Sequence, residues 1–264
     1  IRAPVGVSGS FDVDGDGKPE WFALENTGNG NLNVWSGDLV FPIPNLPPTN
    51  QSYLTFTPAL SPLTGIAHVT NPVGFAVVDT DHDGTPELVV AHTPDGVQLL
   101  VDVLDIHGVP RTSLTLNVPG MTSVALQAPT TQFLGFTADD EDGDGFPELM
   151  VLHSSPVPNQ ADVSVFHLDG TPFHTAHLSP DPVAADAATR GTSFGPDGQT
   201  YVGGFAHTAL DTTVKEWIVL TVDHHTDPFD RVPPAQRFSL YRYEQSGKQA
   251  HKSGTGVDLV LAEV

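Results

Sequence analysis

The sequence predicts an all-β fold, a β-propeller of about four four-stranded antiparallel blades within one domain spanning residues 1–264, and three observations carry that reading. An acidic decapeptide, "DVDGDGKPEW" from Asp12, returns as "DTDHDGTPEL" from Asp79 and "DEDGDGFPEL" from Asp140. Its closing acids, Glu20, Glu87 and Glu148, stand 67 and 61 residues apart, and "YVGGFAHTALDTTVKEWIVL" from Tyr201 repeats the surrounding pattern with Glu216 a further 68 residues on. Between these landmarks apolar residues alternate or run in short β-branched stretches, with almost no helical i, i+3, i+4 periodicity.

Each repeat, with boundaries near 5–72, 73–132, 133–200 and 201–264, reads in the same order. The second shows it most clearly: strand a "GFAVVD", the acidic loop, strand b "ELVVAH", a polar loop, strand c "VQLLVDVLD", a glycine turn and strand d "TSLTLNV". The turn glycine has a candidate in every repeat, Gly37, Gly108, Gly170 and Gly247. Four short strands recurring at a period of about 65 residues suit propeller blades. A sandwich or barrel with coincident turns is the competing architecture. The last segment, "GVDLVLAEV" from Gly256, is either strand d of its own repeat or a strand that closes the ring.

Composition limits the function classes. Lys and Arg number 10 against 32 Asp and Glu, a formal charge of −22 that repels phosphate backbones, so nucleic acid is not an expected partner. No run approaches the ~20 apolar residues of a membrane span, and membrane insertion is not expected. With no cysteine, neither a disulfide framework nor a thiolate site is available. The start at Ile1, without initiator Met or signal pattern, suggests a processed mature form or an excised fragment.

The acidic loops carry the chemistry. Asp at loop positions 1, 3 and 5 directs three carboxylates into a tight turn, Gly at position 6 permits the positive φ that closes it, and a carbonyl at 7 with an acid at 9 completes an oxygen cage of the kind calcium prefers. The candidate ligands are Asp12, Asp14, Asp16, Lys18 (carbonyl) and Glu20; Asp79, Asp81, Asp83, Thr85 (carbonyl) and Glu87; and Asp140, Asp142, Asp144, Phe146 (carbonyl) and Glu148. Without a cation so many carboxylates in one turn would repel one another. Magnesium suits such a cage less well because it sheds its water reluctantly. An EF-hand would place Glu at position 12, where this chain has Ala23, Val90 and Val151. The fourth repeat keeps Asp211 and Glu216 without the Asp triad, so three calcium ions are expected.

With these loops on the page, the chain resembles the FG-GAP or integrin-α-like calcium repeats, also seen as VCBS-type repeats of secreted proteins, whose "DxDxDGxxD" loop joins the first two strands of a propeller blade. Glu stands here where that pattern closes on Asp, and the chain supplies about four repeats where such rings resemble seven-bladed wheels. The resemblance implies an extracellular or cell-surface protein whose ligands bind at the face opposite the calcium loops.

On that face run the b–c connections, from Glu25, Ala91, Leu152 and Thr221, and five residues after each closing acid stand Glu25, His92, His153 and Thr221. Two His and a Glu could hold a transition metal, or these residues simply end strand b as polar loop positions. His224 and His225, in the longest b–c connection beside Asp223, Asp227, Phe229 and Arg231, suit recognition of a sugar or a protein edge, or form a solvated insertion. Trp21 and Trp217 share a repeat position and read as core. No G-x-S-x-G, H-E-x-x-H, P-loop or dinucleotide motif occurs. The expected function is a calcium-stabilised binding or adhesion module for extracellular glycans or proteins. The alternatives are a self-associating surface or assembly subunit, and a hydrolase or lyase with its site on the loop face.

Overall fold

A computed structural model describes residues 4–11, 20–26, 32–38, 72–94, 98–119, 133–183, 199–211, 214–225, 235–246, 249–252 and 259–262. The chain divides into two compact units, residues 1–116 with 145–147, and residues 117–144 with 148–264.

The first unit holds two antiparallel sheets. One is a three-stranded meander of β1 (Pro4–Phe11), β2 (Glu20–Asn26) and β3 (Leu32–Asp38). The other is a four-stranded meander of β4 (Pro72–Val78), β5 (Glu87–His92), β6 (Leu99–Asp105) and β7 (Pro110–Leu116). The second meander follows the strands expected of that repeat. All six residues of β5 are buried, which is why "ELVVAH" runs apolar on both faces, whereas β7 is mostly exposed, as a polar edge strand should be. Leu88, Val90, Leu99 and Leu104 are fully buried, each contributing on the order of 1.5–3 kcal/mol of transfer free energy.

The second unit is one larger sheet. Its first four strands, β8 (Phe133–Asp139), β9 (Glu148–Ser154), β10 (Ala161–Phe166) and β11 (Pro172–Ser179), repeat the meander of β4 to β7. They are followed by β12 (Gln199–Asp211), β13 (Val214–His225), β14 (Ala235–Ser246), β15 (Gln249–Lys252) and β16 (Leu259–Ala262). The sheet runs in the order β12-β13-β14-β15-β11-β10-β9-β8, with β16 on β14. Because β15 pairs parallel with β11, the third and fourth repeats share one continuous sheet, where separate four-stranded blades were expected. The segment 259–262 lies antiparallel to β14 in its own repeat, which answers the question left open for "GVDLVLAEV".

Trp217 anchors the core of this unit, fully buried, with Phe205 stacked on it at 5.7 Å, and Met150, Leu152, Val163, Val165, Leu178, Val219 and Tyr243 in the same cluster. The Tyr243 hydroxyl donates to the Pro180 carbonyl at 2.7 Å and so ties β14 to the segment after β11.

The structure adds a repeat landmark. The first strand of each repeat carries an irregularity ending on a glycine, at Pro4/Gly6, Pro72/Gly74, Phe133/Gly135 and Val202/Gly204. At Gly135 the cause is visible: a Cβ there would sit 2.7 Å from Cβ of Phe205. Gly108 and Gly170 close the c–d turns with φ of 84° and 83°, each N–H donating to the carbonyl three residues back. Gly37 departs from this pattern, since it pairs with Trp21 inside β3, and Gly247 lies outside the described residues.

Candidate metal centre

The second acidic loop joins β4 to β5 and the third joins β8 to β9, so the repeat places each at the same end of an equivalent hairpin. Both loops turn through left-handed residues at position 4, His82 (φ 58°) and Gly143 (φ 82°), and at position 6, Gly84 (φ 86°) and Gly145 (φ 96°). The sequence reading identified position 6. Position 4 was legible in Gly15 and Gly143 and was masked in the second repeat by a histidine.

Within each turn the carboxylates organise the backbone before any ion is considered. Oδ2 of Asp79 accepts from the Gly84 N–H at 2.9 Å, and Oδ1 of Asp140 accepts from Gly143 at 2.6 Å. Oδ1 of Asp81 accepts from Asp83 at 3.3 Å, and Oδ1 of Asp142 from Asp144 at 3.0 Å. The closing glutamate is held from position 2. Oε2 of Glu87 accepts from both the N–H and the hydroxyl of Thr80, at 2.8 and 2.7 Å, and Oε2 of Glu148 accepts from the Glu141 N–H at 2.9 Å.

The result is two clusters whose ligand oxygens all lie within 4.8 Å of one another, Asp79, Asp81 and Glu87 in one and Asp140, Asp142 and Glu148 in the other. Either could hold a metal ion. In the second loop the fit is supported by Oδ1 of Asp79, buried without a hydrogen-bond partner. In the third, burial pushes the Glu148 carboxyl above the usual carboxylate range; the charges of Asp142, Asp144 and Asp140 push the same way against the Glu141 hydrogen bond. A hard cation would relieve both conditions.

Three of the five expected ligands thus gather in each described loop. Asp83 and Asp144 stand outside the two clusters, and Oδ1 of Asp83 instead accepts from the Thr85 N–H at 2.7 Å. Phe146 is half exposed, at 51%. Asp12, Asp14, Asp16 and Lys18 lie outside the described residues; Glu20 opens β2, and its side chain is likewise outside them.

Two arginines that the sequence reading did not single out meet the closing acids. Nη1 of Arg111, on β7, lies 2.7 Å from Oε1 of Glu87, outside hydrogen-bond geometry, and 3.0 Å from Oδ2 of Asp81, to which it donates. In the fourth repeat Arg242 clasps Glu216 with Nε at 3.2 Å and Nη2 at 2.5 Å. There β12 and β13 pair up to Asp211 and Val214, so the hairpin leaves no room for a nine-residue acidic loop.

At the opposite ends of these hairpins β5 closes on His92 as expected of strand b, but the positions read as polar loop residues are buried. His92 and His153 are buried within strands, at 5% and 1% exposure, and Thr221 is fully buried. Nε2 of His92 lies 3.1 Å from Asp102, whose other oxygen accepts from the Ser113 hydroxyl. Burial works to raise the Asp102 pKa, but the bonds from His92 and Ser113 outweigh it and hold the carboxyl below its ordinary range. Nδ1 of His153 is 3.0 Å from the Ser154 carbonyl, and its Nε2 is 2.9 Å from the Ser164 hydroxyl. Each imidazole is therefore engaged inside its own hairpin. Glu25 lies in β2 opposite Asn33, with its side chain outside the described residues. His224 and His225 were expected in a protruding loop. They instead end β13, paired with Gln236 and Ala235; their side chains, and Asp227, Phe229 and Arg231, fall outside the description.

No protein-family model matches the chain, and no curated protein matches it. Among solved structures it is similar to a glycoside hydrolase family 43 arabinoxylan arabinofuranohydrolase from Bacillus subtilis, in complex with cellotetraose, at 14% identity and TM-score 0.48, over 95% of this chain and 51% of that one. It is also similar to a levansucrase mutant from B. megaterium, at 12% identity and TM-score 0.43, over 95% of this chain and 66% of that one. The chain thus spans about half the length of the first, and at these scores no residue role transfers. Among the described residues no helix is long and apolar enough to cross a membrane.

Proposed function

We propose that this chain is a calcium-stabilised β-propeller of the FG-GAP type, in which the acidic loops bind calcium and the ion stabilises the repeat that carries it. The observation that supports this most directly is the convergence of positions 1, 3 and 9 in two successive repeats, on the same hairpin element and with the same backbone bond to the closing glutamate. An ion that binds the folded loop and not the unfolded chain adds RT ln(1 + [L]/Kd) to stability, about 2.7 kcal/mol at a hundredfold excess over Kd.

On this reading the protein acts outside the cell, where calcium is plentiful, as a binding or adhesion module for glycans or extracellular proteins. The acidic composition suits that setting. A glycan array run in millimolar calcium and again in excess EGTA tests it. Calcium-dependent binding to one sugar class supports the reading, and silence in both conditions by folded protein removes glycans from it.

A hydrolase or lyase is the second reading. The observation that favours it is the pair formed by Glu141 and His174, with Nε2 2.8 Å from both carboxylate oxygens and both side chains largely buried, a couple able to move a proton. Turnover of a polysaccharide panel that disappears in His174→Gln, with folding retained, would establish it.

A further inference from the structure

The closing acids of three repeats meet three different neighbours. Glu216, whose hairpin has no acidic loop, is clasped by Arg242. Glu87, whose loop keeps its aspartates, has one guanidinium nitrogen of Arg111 at 2.7 Å, and that nitrogen also reaches Asp81. Glu148 has His167 at 3.6 Å. The hairpin register identifies the counterpart of Arg111 in the third repeat: Pro110 pairs with Leu104 as Pro172 pairs with Phe166, so Arg111 corresponds to Phe173. The Phe173 ring packs on the rings of His167 and His174, at 4.8 and 5.1 Å, and brings no charge to the loop.

Nη1 of Arg111 therefore contacts two of the three carboxylates that a cation in the second loop would use. Two positive charges within reach of the same oxygens repel, and each carboxylate oxygen turned to the guanidinium is lost to the ion. Arg111 stands at an exposed sheet edge with 36% of its side chain accessible, so it can withdraw into water without opening the core. Asp79, by contrast, has no described contact with Arg111, and its buried Oδ1 carries no hydrogen bond.

We propose that Arg111 is an internal counter-cation of the second acidic loop, seated there when calcium is absent and displaced when it binds. The two described loops are then unequal: the third binds calcium tightly, and the second binds it weakly, in competition with Arg111. This rests on the calcium reading and adds a built-in regulator to it. A protein of this kind would keep one repeat permanently loaded and let another respond to changes in calcium concentration.

The test is calcium titration calorimetry on the whole chain carrying Asp14→Ala and Asp142→Ala, which leaves the second loop as the site measured, with and without Arg111→Gln. Removing the guanidinium is expected to tighten binding about tenfold, the scale of two partly exposed ion pairs. Arg111→Lys, which keeps the charge and the fold if glutamine does not, should fall between. In EGTA, Arg111→Gln should melt lower than its parent. The reciprocal change, Phe173→Arg, should weaken the third loop in an Asp14→Ala, Asp81→Ala background. Calcium binding in the parent with unchanged or weaker affinity in Arg111→Gln would overturn the counter-cation role alone. No calcium bound by the parent, by Arg111→Gln or by the unsubstituted chain would overturn the calcium reading with it.

Discussion

The backbone N–H of Thr80 donates to Oε2 of Glu87 at 2.8 Å, seven residues ahead, and so draws the last acid of the loop back to its second residue. The same bond closes the third loop, from Glu141 to Glu148. It fixes one carboxylate oxygen on the backbone and leaves the other for charge. The site is thus shaped by the hairpin, and a cation would enter an arrangement already held by amide hydrogen bonds.

From this convergence follows a paired expectation for Asp81→Ala and Asp142→Ala. Each should release about one calcium ion in millimolar calcium; Asp142→Ala, in the tighter third loop, should then lower stability by about 2–3 kcal/mol, the linkage value for a well-saturated site, and Asp81→Ala, in the weaker second loop, by less. In EGTA the loss should be much smaller. Melting curves in both conditions check it, and equal losses in the two would point to a purely structural role for the aspartates.

His82 holds φ at 58°, where the third loop has glycine. A side chain in the left-handed region costs about 1–2 kcal/mol, partly offset by the entropy that glycine loses on folding. His82→Gly is therefore expected to stabilise the chain by roughly 0.5–1 kcal/mol, read by urea denaturation.

Gly135 is a packing requirement of the second unit. A methyl group there would lie 2.7 Å from Cβ of Phe205, next to the backbone and unable to swing aside. Gly135→Ala should cost about 1–3 kcal/mol, as overpacking does. The same substitution at Gly204, where the nearest atom would be Cβ of Leu220 at 3.6 Å, should cost much less.

Burial pulls the His153 pKa below its ordinary value of 6.5, against the opposing hydrogen bond to Ser154 and the charge of Asp162. The unfolded chain then takes up the proton first. The stability contribution of neutral His153 is complete above about pH 6.5 and declines as pH falls through that value toward the folded pKa. His153→Gln should flatten this part of the stability profile between pH 7 and 5, whatever its effect at neutral pH.

The strands of the second and third repeats were legible because their apolar residues form short runs between acidic loops and glycine turns, and β4 to β11 follow them closely. Glu87 and Glu148 were legible as closing acids for the same reason, a fixed offset from an Asp series. Contacts that depend on strand register were hidden. Arg111 reads as one more polar residue of an edge strand, and its approach to Asp81, 30 positions away, exists only once β7 is aligned on β6. His92 and His153 read as polar residues that end strand b, and their burial was hidden. The partners that bury them, Asp102 and Ser164, come from the neighbouring strand. The continuous sheet of the third and fourth repeats rests on three residue pairs between β11 and β15, too few to leave a pattern in the sequence.

The most direct test of the account is the calcium content of the whole chain after equilibrium dialysis against millimolar calcium, enough to load the weaker second loop, measured by atomic emission beside Asp142→Ala. Three ions per chain are expected, one for each Asp-rich loop of the sequence, and two in the variant. A chain that retains no calcium, or a variant that retains as much as its parent, would contradict the assignment of these loops as calcium sites.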